Sequence, residues 1–200
     1  ATADAYQYMM NKFLHNYDPA ALWFGEKRQW RDYLFTDSER GFAWETEDMI
    51  ELDTRALNPW YTAIVIPKKM AKRPATMYLF ATADEDGNVF EAGKTYSLTI
   101  PKDVPAERFW SLTVYDMDNF AFIYNKEERV GISSRELDQL KKNTDGSVTL
   151  YFGKKAPKGF ERNWIPSADK APWVVFRFYG PTEPFFDRSF VLPDVTLVKN

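Results

Sequence analysis

The sequence predicts a mainly β fold, a jelly-roll-like antiparallel β-sandwich preceded by a small α-helical layer. Two observations predict it. From about residue 75, short segments of alternating apolar and polar residues follow one another between Gly, Pro and Asp turns, with few helical signals among them. Before that point, apolar residues recur at spacings of three and four, the period of an amphipathic helix. We therefore expect a small helical domain at residues 1–74 and a sandwich domain at residues 75–200.

The helical layer is predicted from three segments. Apolar residues between positions 6 and 17 form one stripe, and the first helix is expected to stop before Pro19, because the residue preceding a proline is pushed out of helical geometry. A second, short helix is expected within residues 18–35, ended or interrupted by Gly25. The third is expected within residues 46–66, where acidic residues near the start suit a helix N-terminus.

The β domain is predicted from its strand and turn signals. Five strands are expected, at residues 77–81, 95–100, 109–116, 147–153 and 173–181. Gly87 and Gly146, each preceded by Asp, mark turns, and Ser133 or Ser134 is expected to cap a helical turn. Because successive residues of a strand point to opposite faces, each strand should bury one apolar set in the core.

The last of these strands places a charge among aromatic residues. Its two faces carry Val174, Phe176 and Phe178 on one side, and Trp173, Val175, Arg177 and Tyr179 on the other. An arginine buried without a partner costs several kcal/mol, so Arg177 should be paired. Its partner is expected to be an acid such as Asp116 or Glu161, or an anionic ligand that suits the planar guanidinium. The alternative is a structural arginine that binds a loop carbonyl and stacks on a tryptophan.

This strand, a loop containing Asn163 and Trp164, and the polar face of strand 109–116 form the first candidate site. The candidate ligand-binding residues are Ser111, Thr113, Tyr115, Asn163, Trp164, Trp173, Arg177 and Tyr179. Phe, Tyr and Trp make up 17% of the chain, and such rings serve both carbohydrate sites and β-sandwich cores. Should the same cleft be catalytic, the candidate catalytic groups are Tyr115, Asp116 and Arg177.

Acidic residues supply two further candidates. Loop oxygens suit Ca²⁺, and the candidate metal ligands are Asp116, Asp118, Asn143 and Asp145. Their spacing does not match the EF-hand loop, and Asp-Gly turns form without metal, so turn chemistry is favoured and no metal is predicted. A carboxylate pair for glycoside hydrolysis could be drawn from Glu161, Glu183, Asp116 and Asp187, but spacing in sequence assigns no role to any of them.

Composition excludes several classes of function. The 26 Lys and Arg residues are interspersed with 29 Asp and Glu residues, so no basic stripe for nucleic acid is expected. The chain has no Cys and a single His, His15, which excludes thiolate chemistry and argues against a His-based triad or metal site. No apolar run reaches the length of a membrane span, and no glycine-rich phosphate loop is present, so no cofactor is predicted. The N-terminus lacks a secretion signal and an initiator Met, as expected for a processed or excised piece.

Four motifs in order identify a family resemblance. They are "YSLTIPKDVPAERFWSLTVYD", "NTDGSVTLYFG", "NWIP" and "FRFYGPTEPFFDRSFVLPDVTLV". Over about residues 75–198 the chain resembles the bacterial family known as domain of unknown function 1214. The resemblance implies a jelly-roll-like sandwich behind a small helical domain, but no established reaction. It also implies a preceding domain, domain of unknown function 1254, and a periplasmic or secreted location.

Two hypotheses of different classes follow for the function. The first is a β-sandwich module that binds a small molecule or a glycan in its polar and aromatic cleft. The second is a hydrolase-type enzyme of the cell envelope that uses the same cleft. A structural role as the interaction part of a larger protein is the third possibility, and the sequence does not predict an oligomeric state.

Overall fold

The computed structural model describes residues 2–15, 22–26, 28–32 and 74–199. Helix α1 spans Thr2–His15 and is followed by strands β1 (Arg31–Asp32), β2 (Thr76–Ala81), β3 (Tyr96–Ile100), β4 (Ala106–Asp116), β5 (Gly131–Ser133), β6 (Val148–Gly153), β7 (Trp164–Pro166), β8 (Pro172–Pro181) and β9 (Thr196–Leu197). Short 3-10 turns lie at Ser134–Glu136 and Glu161–Asn163, and a one-turn helix, α2, spans Glu183–Phe186. All five predicted strands are confirmed, whereas the pattern did not predict β1, β5, β7 and β9.

The strands pair into two sheets. Over the described ranges, the five-stranded sheet has the order β1-β2-β8-β4-β5 and the four-stranded sheet has the order β7-β6-β3-β9. Neighbouring strands are antiparallel except β6 and β7, which run parallel. The predicted β-sandwich class is confirmed, and jelly-roll connectivity stays a prediction.

Alternation along the strands builds one hydrophobic core from both sheets. Leu79, Phe176 and Leu112 are paired across β2, β8 and β4, and each is fully buried. Leu98 and Leu150 form the equivalent buried pair between β3 and β6. Burying a side chain of this size stabilises the fold by about 1.5–3 kcal/mol. A register slip of one residue would turn these side chains outward, so the core fixes the strand register.

Residues 22–26 and 28–32 pair as the two sides of a hairpin, so the short helix predicted within residues 18–35 is wrong for these residues. The backbone N–H of Trp23 donates to the carbonyl oxygen of Trp30 at 3.0 Å, and Gly25 lies in the turn with φ at 75°. Strand β1 then pairs with β2 at the edge of the five-stranded sheet. Strand pairing and aromatic burial outweigh the helical pattern here, because local propensity is weaker than tertiary packing.

The hairpin is tied to the segment that precedes β9. Trp30 is fully buried, and its Nε1–H donates to the carbonyl oxygen of Pro193 at 2.7 Å. Asp194 accepts a hydrogen bond from the backbone N–H of Gln29 at 2.8 Å and lies 3.4 Å from Arg28 Nη1. The aromatic residues of the hairpin therefore pack in the protein core.

Helix α1 confirms the first predicted helix. The hydroxyl of Tyr6 donates to the carbonyl oxygen of Asp118, in the turn after β4. Within the described part of the chain, no helix has the length and apolarity needed to cross a membrane. The predicted third helix lies outside the described residues, and the domain boundary at residue 74 stays a prediction.

Candidate functional site

The outward face of the five-stranded sheet carries most of the predicted ligand-binding residues. Strand register places Arg177 of β8 directly between Tyr78 of β2 and Ser111 of β4. Thr113 and Tyr115 alternate along the same face of β4, and their positions confirm the alternation expected from the sequence. We call this surface the Arg177 face, defined by Tyr78, Ser111, Thr113, Tyr115, Arg177 and Tyr179.

Neutral hydroxyls and aromatic rings surround the Arg177 guanidinium. Its Nη1 donates to Thr113 Oγ1 at 3.4 Å, and its Nη2 donates to the hydroxyl oxygen of Tyr115. Its central carbon lies 5.5 Å from the ring centroid of Tyr78 and 5.7 Å from that of Tyr115. No carboxylate among the described residues pairs with this guanidinium. Within the part of the chain that the structure describes, dipoles and π faces solvate its positive charge and no acid neutralises it.

Of the partners considered for Arg177, the two protein acids bind elsewhere, so that alternative is wrong, while an anionic ligand stays a prediction. Asp116 is paired with Pro172, about five residue steps along the strands from the position of Arg177, which is roughly 17 Å. Its Oδ2 lies 2.9 Å from Lys170 Nζ, and this carboxylate raises the pKa of Lys170. Glu161 lies in the 3-10 turn before β7, beside the other sheet.

Tyr78 keeps its proton at neutral pH. Burial raises the pKa of Tyr78 above its ordinary value, and neighbouring Tyr179 and Tyr115 raise it further, while the charge of Arg177 acts in the opposite direction. A tyrosine hydroxyl that keeps its proton can donate as well as accept a hydrogen bond. The Arg177 face therefore combines one fixed cation with the neutral hydroxyl of Tyr78.

Burial changes along the outward face. Val175 and Phe80 are only 2% and 4% exposed, whereas Arg177 and Tyr179 are half-buried. Trp173, predicted to bind a ligand, is 6% exposed, and its ring centroid lies 5.3 Å from that of Tyr115. Trp173 thus supports the tyrosine from the buried end of the face.

At the opposite end, aromatic stacking orders Tyr179. Its ring is stacked on Phe109 with centroids 4.0 Å apart, and the guanidinium of Arg135 lies 3.9 Å from the Phe109 centroid. The sequence pattern did not identify Tyr78 as a member of this face or Phe109 as the residue that supports Tyr179. The alternation of Tyr78 with the buried residues Met77 and Leu79 was the signal that could have identified it.

Asn163 lies beside the four-stranded sheet and is a buried structural residue. It is 0% exposed. Its Oδ1 accepts the backbone N–H of Lys141, and its Nδ2 donates to the carbonyl oxygens of Lys141 and Thr149, all at 2.9 Å. These bonds use its polar atoms, so the structure assigns Asn163 to joining the 3-10 turn before β7 to β6 and not to the Arg177 face.

The loop position predicted for Trp164 is wrong, because Trp164 is the first residue of β7. Its Nε1–H donates to the carbonyl oxygen of Gly153 at 3.1 Å. A Cβ at Gly153 would lie 2.6 Å from Thr95 Oγ1, so only glycine allows β6 and β3 to approach this closely. The backbone carbonyl that holds the indole is thereby fixed in place.

Trp164 lines a cleft of about 330 Å³ at the side of the sandwich. It is lined by Glu127, Arg129, Glu161, Arg162, Trp164 and Pro166, and we call it the Trp164 cleft. Arg129 precedes β5, an edge strand of one sheet, and Trp164 begins β7, an edge strand of the other. The cleft therefore lies where the two sheets meet at their edges. Of its lining residues, only Trp164 and Glu161 were candidate site residues in the sequence, whereas the charged segment that contains Glu127 and Arg129 was interpreted as a solvated connection.

The four candidate metal ligands lie in or beside turns of the backbone. Asp116 Oδ1 accepts the backbone N–H of Asp118 at 3.0 Å. Asp145 accepts both the hydroxyl and the backbone N–H of Ser147, which lowers the pKa of Asp145. Asn143 donates to the Ser147 hydroxyl oxygen at 2.9 Å. Over the described ranges, no group of three or more His, Asp or Glu residues is arranged to hold a metal ion.

The candidate catalytic groups are divided between surfaces. Tyr115 and Asp116 are consecutive on β4 and so point to opposite faces, and only Tyr115 contacts Arg177. The acids considered for glycoside hydrolysis lie on separate elements: Asp116 at the end of β4, Glu161 in the turn before β7, Glu183 at the start of α2, and Asp187 at its C-cap. The arrangement does not bring Tyr115, Asp116 and Arg177 together in one catalytic centre.

Comparison with known proteins places the chain in a family. The model of the family described as "Protein of unknown function (DUF1214)" matches residues 75–183, more than half of the chain, so the chain belongs to this family. No curated protein matches the chain. The partner domain 1254 and the location outside the cytoplasm implied by the resemblance stay predictions.

Two solved structures are similar to the chain. The crystal structure of the VPA0106 protein from Vibrio parahaemolyticus has 21% sequence identity and a TM-score of 0.57, with 74% of this chain and 35% of that chain covered. A structure of an uncharacterised protein from Burkholderia cenocepacia has 16% identity and a TM-score of 0.47, with 75% of this chain and 40% of that chain covered. The first supports the fold, and this chain spans about a third of its length.

Proposed function

We propose that the Arg177 face binds a small, planar organic carboxylate. One observation carries the proposal: the half-buried guanidinium of Arg177 is held by Thr113 and Tyr115 and, among the described residues, pairs with no acid. A guanidinium presents its N–H donors in a planar fork that matches both oxygens of a carboxylate. A ligand carboxylate would be the anionic partner that the sequence offered as the alternative to a protein acid.

The surroundings of Arg177 favour a flat ligand body. Tyr78 and Tyr115 place their rings within 6 Å of the guanidinium carbon, at 5.5 and 5.7 Å. Aromatic rings stack on one another in offset or edge-to-face geometry, which adds about 0.5–1.5 kcal/mol to the burial of area. The hydroxyl of Ser111, opposite Arg177 in the register, is available to orient a ligand oxygen.

Benzoate and benzamide test this proposal as a charged and a neutral probe of the same shape. We expect benzoate to raise the melting temperature of the wild-type chain by about 3–5 °C at a concentration about tenfold above its Kd, and benzamide to leave it unchanged. Arg177→Gln should abolish the benzoate shift, and Arg177→Lys should reduce it, because lysine keeps the charge but loses the bidentate fork. Differential scanning fluorimetry measures these shifts.

Arg108→Gln is the matched control. This residue is an exposed arginine of the same strand as Thr113 and Tyr115, and its loss should leave the benzoate shift intact. Equal shifts with benzoate and benzamide, or a benzoate shift that survives in Arg177→Gln, would show that the guanidinium does not recognise the carboxylate. The absence of any shift in the wild type would also overturn the proposal.

A further inference from the structure

We propose that the Trp164 cleft is a second, independent site that binds a neutral carbohydrate. The cleft shares no lining residue with the Arg177 face. Its volume of about 330 Å³ is at the lower end of the range for ligand pockets, about 300–1,000 Å³, which suits one or two sugar rings. Three further properties of its lining point to this class of ligand.

The charges of the lining balance. Glu127 and Glu161 contribute two carboxylates, and Arg129 and Arg162 contribute two guanidinium groups. A site for an anion would carry an excess of positive charge, as the Arg177 face does. A neutral ligand with many hydroxyls can instead donate to the carboxylates and accept from the guanidinium groups.

The Trp164 ring is a fixed and partly exposed surface. Its only polar atom donates to the Gly153 carbonyl, so the indole is oriented by the protein and not by a ligand. The side chain is half-buried, which leaves part of the ring in contact with the cleft. The apolar C–H face of a sugar packs on such a ring, while its hydroxyls stay at the polar rim.

Donor and acceptor groups at the rim are pre-organised. Nη1 of Arg129 donates to the carbonyl oxygens of Arg162 at 2.9 Å and Trp164 at 3.3 Å, while its Nε and Nη2 have no acceptor among the described residues. Glu161 Oε1 accepts the backbone N–H of Gly159 at 2.9 Å, which lowers the pKa of this carboxyl. Groups held in place by the backbone lose little conformational entropy when a ligand binds.

Chemical-shift titration by NMR tests the inference with three disaccharides, namely maltose, cellobiose and N,N′-diacetylchitobiose. The indole N–H signal of Trp164 is assigned from its loss in Trp164→Phe. We expect at least one of the sugars to shift this signal saturably at millimolar concentration. Glu127→Gln, which changes an exposed side chain, should weaken that binding about tenfold, and Arg129→Ala should weaken it at least as much.

Two control variants distinguish binding in the Trp164 cleft from nonspecific binding and from binding at the Arg177 face. Tyr124→Ala removes an aromatic side chain that is 95% exposed and outside the cleft lining, and it should bind the sugar as the wild type does. Arg177→Gln should also leave sugar binding unchanged, so failure of the carboxylate proposal would not affect this one. The inference is overturned if none of the three sugars shifts the Trp164 signal, or if sulfate shifts it and the sugars do not.

Discussion

Arg177 and Asn163 were both predicted to bind a ligand, and the structure gives the two side chains different kinds of hydrogen-bond partner. Asn163 is buried, and backbone groups of Lys141 and Thr149 make three hydrogen bonds to it at 2.9 Å. Arg177 is half-buried and is held by two hydroxyls, and no carboxylate in residues 74–199 or the other described ranges neutralises its charge. A polar side chain whose bonds all go to backbone serves the fold, whereas a charge met only by neutral groups is open to a ligand of opposite charge.

Replacing Asn163 by alanine should give the largest loss of stability. The substitution leaves one buried N–H and two buried carbonyl groups without their partner, and each such group costs about 1–3 kcal/mol. Some of these groups can form hydrogen bonds to water instead, so we expect the free energy of unfolding to fall by about 3 kcal/mol. Urea denaturation measures this change.

Asn143→Ala is the matched control for Asn163→Ala. Asn143 is partly exposed, and its Nδ2 donates to the hydroxyl oxygens of Ser147 and Thr149. The Ser147 hydroxyl keeps its bond to Asp145 and the Thr149 hydroxyl keeps its bond to Thr99, so the expected loss is only about 1 kcal/mol. Equal losses in the two variants would contradict the assignment of Asn163 as a buried structural residue.

Arg177→Gln should have a much smaller effect on stability. The variant loses two hydrogen bonds to hydroxyls, but it also removes a partly desolvated charge that no acid neutralises among the described residues. We expect the free energy of unfolding to change by less than about 1 kcal/mol in urea denaturation without ligand. A loss as large as that of Asn163→Ala would identify Arg177 as a structural residue and remove the basis for a site.

The sequence predicted the main strands well because their two-residue alternation is a local signal. Met77 and Leu79 alternate with Tyr78, and Val174, Phe176 and Phe178 alternate with Arg177, and in both strands the apolar set is buried. The same alternation placed Ser111, Thr113 and Tyr115 on the outward face of β4. This alternation predicted most of the Arg177 face, because most of its residues lie on β4 and β8. These two strands are neighbours in the sheet.

The short edge strands could not be predicted in the same way. Strand β7 has three residues, too few for alternation to be visible, and it exists because it pairs with β6. Strand β1 has two residues and depends on pairing with β2 and on the burial of Trp30. The Trp164 cleft is built on such pieces, since Arg129 reaches the carbonyl oxygen of Trp164 from 35 positions away in sequence. Contacts of this kind follow from the fold and leave no local pattern.

The smallest predicted effect concerns the pH dependence of stability and tests the electrostatics of the Arg177 face. Burial, together with Tyr179 and Tyr115, raises the pKa of Tyr78 above its ordinary value of 10.0. Between that value and the raised pKa, the unfolded chain loses the Tyr78 proton while the folded chain keeps it. The contribution of this hydroxyl to stability is therefore present below about pH 10 and is lost as the pH rises through the pKa of the folded state.

Tyr78→Phe removes this titration and so isolates it. We expect the difference in unfolding free energy between the wild type and Tyr78→Phe to shift in favour of the variant from about pH 9 to about pH 11, measured by urea denaturation. Tyr124→Phe is the matched control, because it removes the hydroxyl of a side chain that is 95% exposed and lies outside the Arg177 face. In the Arg177→Gln background, the loss of a charge that lowers the Tyr78 pKa should move the transition to higher pH. A transition that stays at the same pH would show that Arg177 does not act on Tyr78, and the electrostatic description of the Arg177 face would then be wrong.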